Sequence, residues 1–195
     1  MDIVDPVDPD DLSSELRAMW DATPRPGLKQ FVQVMANAER YHVAFSSLYA
    51  SVRFENHLGH KLSELVRLTI ANTTACPVCM AGRLPAAIEE GMTEELVAGL
   101  AQPDAGAFSE AEVAAIRFAH KFGTDHLSVD DADKAALRRH FSDEQIVELA
   151  ILCALCLGYG RFSAICGLSD GATCAVPASA PATAAAPAGE PATAH

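Results

Sequence analysis

The sequence predicts an all-α fold, and three observations predict it. Apolar residues recur with the helical period: Leu62, Leu65, Val66 and Thr69 make one stripe, and Val113, Ile116, Ala119 and His120 continue another. Helix-start signals recur between breaks marked by Gly and Pro; Ser109 with Glu112, and Ser142 with Gln145, have the spacing of capping boxes. No strand-like alternation competes with this pattern. At 195 residues the chain is long enough for a domain with a full hydrophobic core, so folding does not call for disulfides.

The elements follow in order. Residues 1–12 mix Asp with Pro6 and Pro9 and are expected to form a flexible acidic arm. Helices are expected near 13–20, 28–38 and 40–54, with Pro24 and Pro26 separating the first two, and then near 61–74 after Gly59. Cys76-Pro77-Val78-Cys79 follows the loop-like Asn72-Thr73-Thr74-Ala75 and opens a helix over 77–90, because Pro suits a first turn where its missing N–H would be unpaired anyway. Past Gly91, Thr93 before Glu94 and Glu95 starts a helix over 93–101. Pro103 and Gly106 separate it from 109–121, which the Ser109 box opens. Asp130 before Asp131 and Asp133 starts 130–140, and the Ser142 box starts 143–168, where Gly158 and Gly160 are candidates for a break. Residues 13–170 then make a single helical domain, and 171–195 are expected to be disordered, since Pro177, Pro181, Pro187 and Pro191 interrupt the alanines. No internal repeat is visible.

A formal net charge of -12, with no Lys/Arg cluster to offset it, sets the chain against nucleic acid and anionic membranes as partners. The acidic start Met1-Asp2-Ile3-Val4-Asp5-Pro6 lacks the basic and apolar regions of a secretory signal, so the expected compartment is the cytoplasm. The longest apolar run, Ile146 to Tyr159, is interrupted by Glu148 and falls short of the roughly 20 residues that cross a bilayer, so a buried helix is expected. Six cysteines in a reducing compartment are poorly explained as a disulfide framework, which leaves reactive, metal-binding or buried thiols.

Among these, Cys76 and Cys79 stand out. A cysteine at a helix start sees the positive end of the helix dipole, which favours the thiolate, and cysteines three apart can close a disulfide. From spacing alone, redox activity, metal binding and structural thiols all stay open. Glu64 shares a helix face with Leu68 and Ala71, which would let it point at the thiols and handle their proton provided burial raises its pKa; the alternative is an ordinary surface glutamate. A second pair, Cys153-Ala154-Leu155-Cys156, raises the thought of tetrathiolate zinc, but it lies in the apolar run Leu149-Ala150-Ile151-Leu152 and far from the first pair, so packing is the expected role and no metal is assigned. Cys166 reads as core and Cys174 as an exposed thiol near the tail. Phe31, Tyr41, Phe45 and Tyr49 are core by periodicity, with a substrate cavity or an intersubunit seam as the alternatives.

Leu62-Ser63-Glu64 leading to Cys76-x-x-Cys79, then Gly91-Met92-Thr93, and Phe141-Ser142-Asp143-Glu144-Gln145-Ile146-Val147-Glu148-Leu149, together resemble the carboxymuconolactone decarboxylase superfamily, specifically its alkyl hydroperoxidase D-like (AhpD-like) branch, over roughly Met35 to Leu168. The resemblance implies an all-helical bundle assembled as a homotrimer or homohexamer, without a cofactor, acting as a hydroperoxide reductase or disulfide oxidoreductase. It implies Cys79 as the peroxide-attacking thiol, Cys76 as its resolving partner and Glu64 in a proton relay, with a lipoyl-bearing or other dithiol reductant and a peroxiredoxin as partners. One departure bears on that relay. The family usually carries a histidine four residues after the second cysteine, where this chain has Arg83. One helical turn from Cys79, a guanidinium would stabilise a thiolate but cannot shuttle a proton; His57, His60 and His120 are the candidates to replace the histidine. Two other readings follow from the departure. Arg83 would suit the carboxylate of a small lactone in a decarboxylase-like enzyme, and a lapsed enzyme would be a non-catalytic oligomeric redox sensor.

Overall fold

The computed structural model describes residues 3–105 and 107–170, which leaves the expected tail at 171–195, with Cys174, and also Gly106, outside the described residues. The helices are α1 (Ser14–Ala22), α2 (Pro26–Met35), α3 (Glu39–Phe54), α4 (His60–Thr74), α5 (Pro77–Ala81), α6 (Pro85–Glu89), α7 (Glu94–Gly99), α8 (Glu110–Thr124), α9 (Asp131–His140) and α10 (Asp143–Ile165). No strand occurs among the described residues, so the all-α expectation holds.

The capping signals mark true helix starts. Ser109 with Glu112 and Ser142 with Gln145 form reciprocal boxes, and Asp130 with Asp133 forms a third. Pro26, expected in a linker, is instead the first residue of α2, where its fixed φ fits the helix.

α4 is the axis of the molecule. Its residues 62–71 are buried on every side, which a helix shows only when it is surrounded. Leu62, Val66 and Ile70 pack with Ala115 and Ala119 of α8 and with Leu149 and Leu152 of α10. On another side Leu65 and Leu68 meet Ala87, Met92, Leu100 and Ile116. The polar side chains that α4 carries into this core have partners: Ser63 donates to the Gly59 carbonyl, Thr69 to Leu65 and Thr74 to Ile70.

α10 runs unbroken through Gly158 and Gly160. A Cβ on Gly160 would stand 2.9 Å from Thr74 Oγ1, so that glycine permits close approach to α4 rather than ending the helix. By length and composition α10 is apolar enough to cross a membrane, with a mean hydropathy of 1.6 over its best window, and the expectation drawn from the shorter run Ile146–Tyr159 is corrected in that respect. Leu149, Leu152 and Cys153 are buried, whereas Val147, Ile151 and Ile165 of the same helix are exposed.

The acidic N-terminal segment lies along α2. Val7 and Gln33 exchange hydrogen bonds, Asn37 donates to the Asp5 carbonyl, and Val4 packs beside Val34 and Cys76.

Candidate active site

The site begins where α4 ends. Ala75 takes the left-handed conformation (φ 49°), and the Cys76 N–H returns to the Ala71 carbonyl, closing α4 with a Schellman-type turn. That turn delivers Cys76 as the N-cap of α5, with its sulfur accepting from the Cys79 N–H at 3.3 Å. Cys76 and Cys79 are joined as a disulfide. The two sulfurs are not equivalent: Cys76 is fully buried, while Cys79 is partly open.

The helix expected over 77–90 is two short ones. The chain is extended at Gly82 and at Leu84, and the latter follows from Pro85, which disfavours helical geometry in the residue before it. A Cβ at Gly82 would also collide with the Arg25 guanidinium. This break corrects the placement of Arg83. It does not stand one helical turn past Cys79 but lies in the extended link, where it donates to the Met80 carbonyl at 2.6 Å and pairs with Glu94 at 2.8 Å.

Three of the last carbonyls of α5, left without helical partners as at any helix end, are met by arginines. Arg25 donates to Val78 at 2.6 Å, Arg67 to Cys79, and Arg83 to Met80. Arg25 is held in turn by Asp170, which also accepts from the Gly27 N–H at 2.8 Å. The disulfide turn is thus clamped from α2, α4 and the link that follows it.

Glu64 is not a surface glutamate; it is 1% exposed. Arg67 donates to both its oxygens at 2.8 Å, Arg53 adds a bond at 2.8 Å from α3, and the Leu84 N–H another at 3.0 Å. Burial pushes the carboxyl toward its neutral form. Arg67, Arg53 and the Leu84 N–H outweigh that and hold it below the usual carboxylate range. The raised pKa on which a proton relay through Glu64 depends is therefore absent. Glu64 instead anchors Arg67, and through it the Cys79 carbonyl.

A cavity of about 810 Å³ opens beside Cys79, bounded by α2, α3, α5 and α10. Phe45 and Tyr49 line it, Phe31 lines it and also packs against the core cluster of Val34, Cys76 and Val78, and Tyr41 is exposed. Arg83 reaches the cavity wall, as do Arg25, Arg53 and Arg67.

None of the three histidines singled out from the sequence borders the cavity. His57 binds Glu148 at 2.8 Å, His60 binds Glu90 at 2.7 Å, and His120 lies by a separate groove along α8. The histidine that does border it is His42, which sequence reasoning missed because nothing nearby sets it apart. It is 2% exposed, and neither ring nitrogen has a hydrogen-bond partner. Burial lowers its pKa.

The second cysteine pair divides. Cys153 packs in the core against α4 and α8, whereas Cys156 faces the cavity and bonds the Tyr49 hydroxyl; burial pushes the Cys156 thiol up to about 11. Cys166 is buried with Cys76 and Val78, as core packing requires.

Residues 40–121 match the carboxymuconolactone decarboxylase family. Among solved structures, the chain is similar to an uncharacterized peroxidase-related protein from Ralstonia eutropha described as an alkylhydroperoxidase AhpD core, at 18% identity and a TM-score of 0.71, covering 87% of this chain and 92% of that one. The debrominase Bmp8 is similar at 20% identity and a TM-score of 0.70, over 87% and 92%. A putative antioxidant defence protein AhpD from Agrobacterium tumefaciens follows at 19% and 0.58, over 69% and 91%. At these identities the likeness is one of fold. No curated protein matches in sequence.

Proposed function

Taking the chain as a carboxymuconolactone decarboxylase-family segment carried on an AhpD-like helical fold, we propose that it is a thiol-dependent hydroperoxide reductase. The observation that carries this reading is the placement of the disulfide: Cys79 borders an 810 Å³ cavity, while Cys76 is sealed behind it. An attacking thiol must be reached by substrate, and a resolving thiol need be reached only by its partner.

In the reduced pair, the Cys79 thiolate attacks the outer oxygen of a hydroperoxide. The O–O bond breaks, the alkoxide takes a proton and leaves as alcohol, and Cys79 becomes a sulfenic acid. Cys76 then displaces its hydroxyl, which leaves as water, and the disulfide forms. A dithiol reductant of the lipoyl kind reopens it by exchange, itself becoming a disulfide. A peroxiredoxin is the natural protein partner for the same electrons.

The protein supplies geometry and positive charge. Arg25, Arg67 and Arg83 fix the carbonyls of α5, and Glu64 keeps Arg67 in place. With Glu64 held as a carboxylate, its part is positioning rather than proton transfer, and Arg83 acts as a cap on α5. A homotrimer or homohexamer in the cytoplasm completes the proposal.

The test is hydroperoxide consumption with a lipoyl dithiol supplied in excess. Sustained turnover by the wild type that disappears in Cys79→Ser supports the reading. A single oxidation to the Cys76–Cys79 disulfide with no further consumption points to the sensor instead, which the turn of Arg83 toward Met80 and Glu94 favours.

A further inference from the structure

We infer that the cavity beside Cys79 binds an organic anion, a carboxylate on an apolar body, drawn in by an excess of arginine charge on the cavity wall. The inference rests on the proposed function only in taking this cavity as the approach to Cys79, and it makes the substrate there a hydroperoxide of that class.

The wall carries Arg25, Arg53, Arg67 and Arg83 and no Asp or Glu. In a chain of net charge -12 that is a local reversal of sign. Arg25 is paired with Asp170 and Arg83 with Glu94, but Arg53 and Arg67 have one carboxylate, Glu64, between them. Arg67 binds both oxygens of that carboxylate, which leaves Arg53 as the cation in excess. The other bond of Arg53 goes to the Tyr49 hydroxyl at 3.1 Å, a neutral group because burial raises its pKa, and the Cys156 thiol beside Tyr49 is neutral for the same reason. Among the three acids, Glu94 is 70% exposed, where water screens its pairing with Arg83 and a ligand can replace it.

Donors remain for an anion to use. Among the described residues, Arg25 Nη1 and Arg53 Nε donate to no protein atom. Neither is sealed in the protein, since the buried nitrogens without a partner are those of His42. A carboxylate reaching either guanidinium gains charge-assisted hydrogen bonds, and a cleft lined by one sign of charge concentrates the opposite ion within it. The remaining wall is largely apolar, and Leu28 and Phe54 line it while staying exposed, which offers a hydrocarbon body surface to cover. The volume of about 810 Å³ lies in the range of small-molecule sites and far exceeds what a peroxide group alone occupies.

The test is equilibrium dialysis of the disulfide-closed full chain, without peroxide, against decanoate, decan-1-ol and decylammonium, which share a chain and differ in head-group charge. The net charge of the whole molecule would favour decylammonium; the cavity wall favours decanoate. The expected result is decanoate bound about tenfold more tightly than decan-1-ol, with decylammonium weakest and the differences narrowing as salt is added. Arg53→Gln should weaken decanoate about fivefold while leaving decan-1-ol within about twofold, which also reports an intact cavity, and Arg53→Lys should keep most of the preference. If Arg53→Gln loses decan-1-ol as well, Arg83→Gln carries the same expectation. Arg161→Gln, an exposed arginine away from the cavity, should change nothing. Equal binding of decanoate and decan-1-ol, decylammonium bound as tightly as decanoate, no binding of decanoate, or an unchanged preference in a variant that still binds decan-1-ol would each overturn the inference. Because no thiol chemistry is involved, an absence of peroxide turnover would sink the proposed function and leave this result standing, and the converse also holds.

Discussion

Arg67 on α4 donates at once to both oxygens of Glu64 and to the main-chain carbonyl of Cys79. A charge buried in the central helix is thereby the physical link between the core and the disulfide turn. The consequences of cutting that link are measurable.

Glu64→Gln removes the countercharge of a guanidinium that is only 7% exposed. Breaking a buried pair from one side leaves an uncompensated charge, at a typical cost of about 3–5 kcal/mol. Urea denaturation at neutral pH should show a loss of that size. A loss under about 1 kcal/mol, the range of exposed pairs, would mean that the pair is solvated.

The same group sets an acid response. Its folded pKa is depressed below the ordinary 4.5, so its contribution to stability is fully present above that value and is lost as pH falls through the lower folded one. Wild-type stability should therefore fall more steeply than that of Glu64→Gln as pH is lowered from about 5 toward 3. Parallel curves for the two proteins would contradict the assignment.

Thiol reactivity should separate the cysteines. Burial pushes Cys156 up to about 11 and raises Cys153 further, whereas Cys79 lies partly open at the start of a helix. In the reduced protein near neutral pH, iodoacetamide should label Cys79 about a hundredfold faster than Cys156, following the thiolate fraction. Peptide mapping over time reads this, and similar rates would contradict it.

Ala75 carries strain at the entrance to the disulfide turn. A left-handed alanine costs roughly 1–2 kcal/mol, partly offset because glycine has more freedom to lose on folding. Ala75→Gly should raise stability by about 0.5–1 kcal/mol in the same urea assay. A loss would show that the methyl group makes contacts that compensate for φ 49°.

The helical plan was legible because its signals are local. The Ser109 and Ser142 boxes act within one turn, and both helix starts were found where the sequence put them. The break after Ala81 was missed although Pro85 announced it, since Gly82 and Leu84 must both leave helical geometry before that proline. For the site, Glu64 and the CxxC could be read from their spacing, and their proximity through Arg67 bears on a tertiary packing that spacing does not encode. Arg67 itself had a signal, a cation three residues past Glu64 inside an apolar helix. His42 had none: its meaning comes from rings on α2 and α3 and from a cavity formed by distant segments.

The central claim is that Cys79 reacts with peroxide and Cys76 resolves it. The direct measurement is intact mass and peptide mapping of reduced Cys76→Ser after brief exposure to cumene hydroperoxide with dimedone present. The account predicts a dimedone adduct on Cys79, because the sulfenic acid formed there has lost its resolving partner. In the wild type treated alike, the Cys76–Cys79 disulfide should form with little adduct. An unmodified Cys79 in a folded Cys76→Ser protein, or an adduct found on Cys156 in its place, would contradict the account.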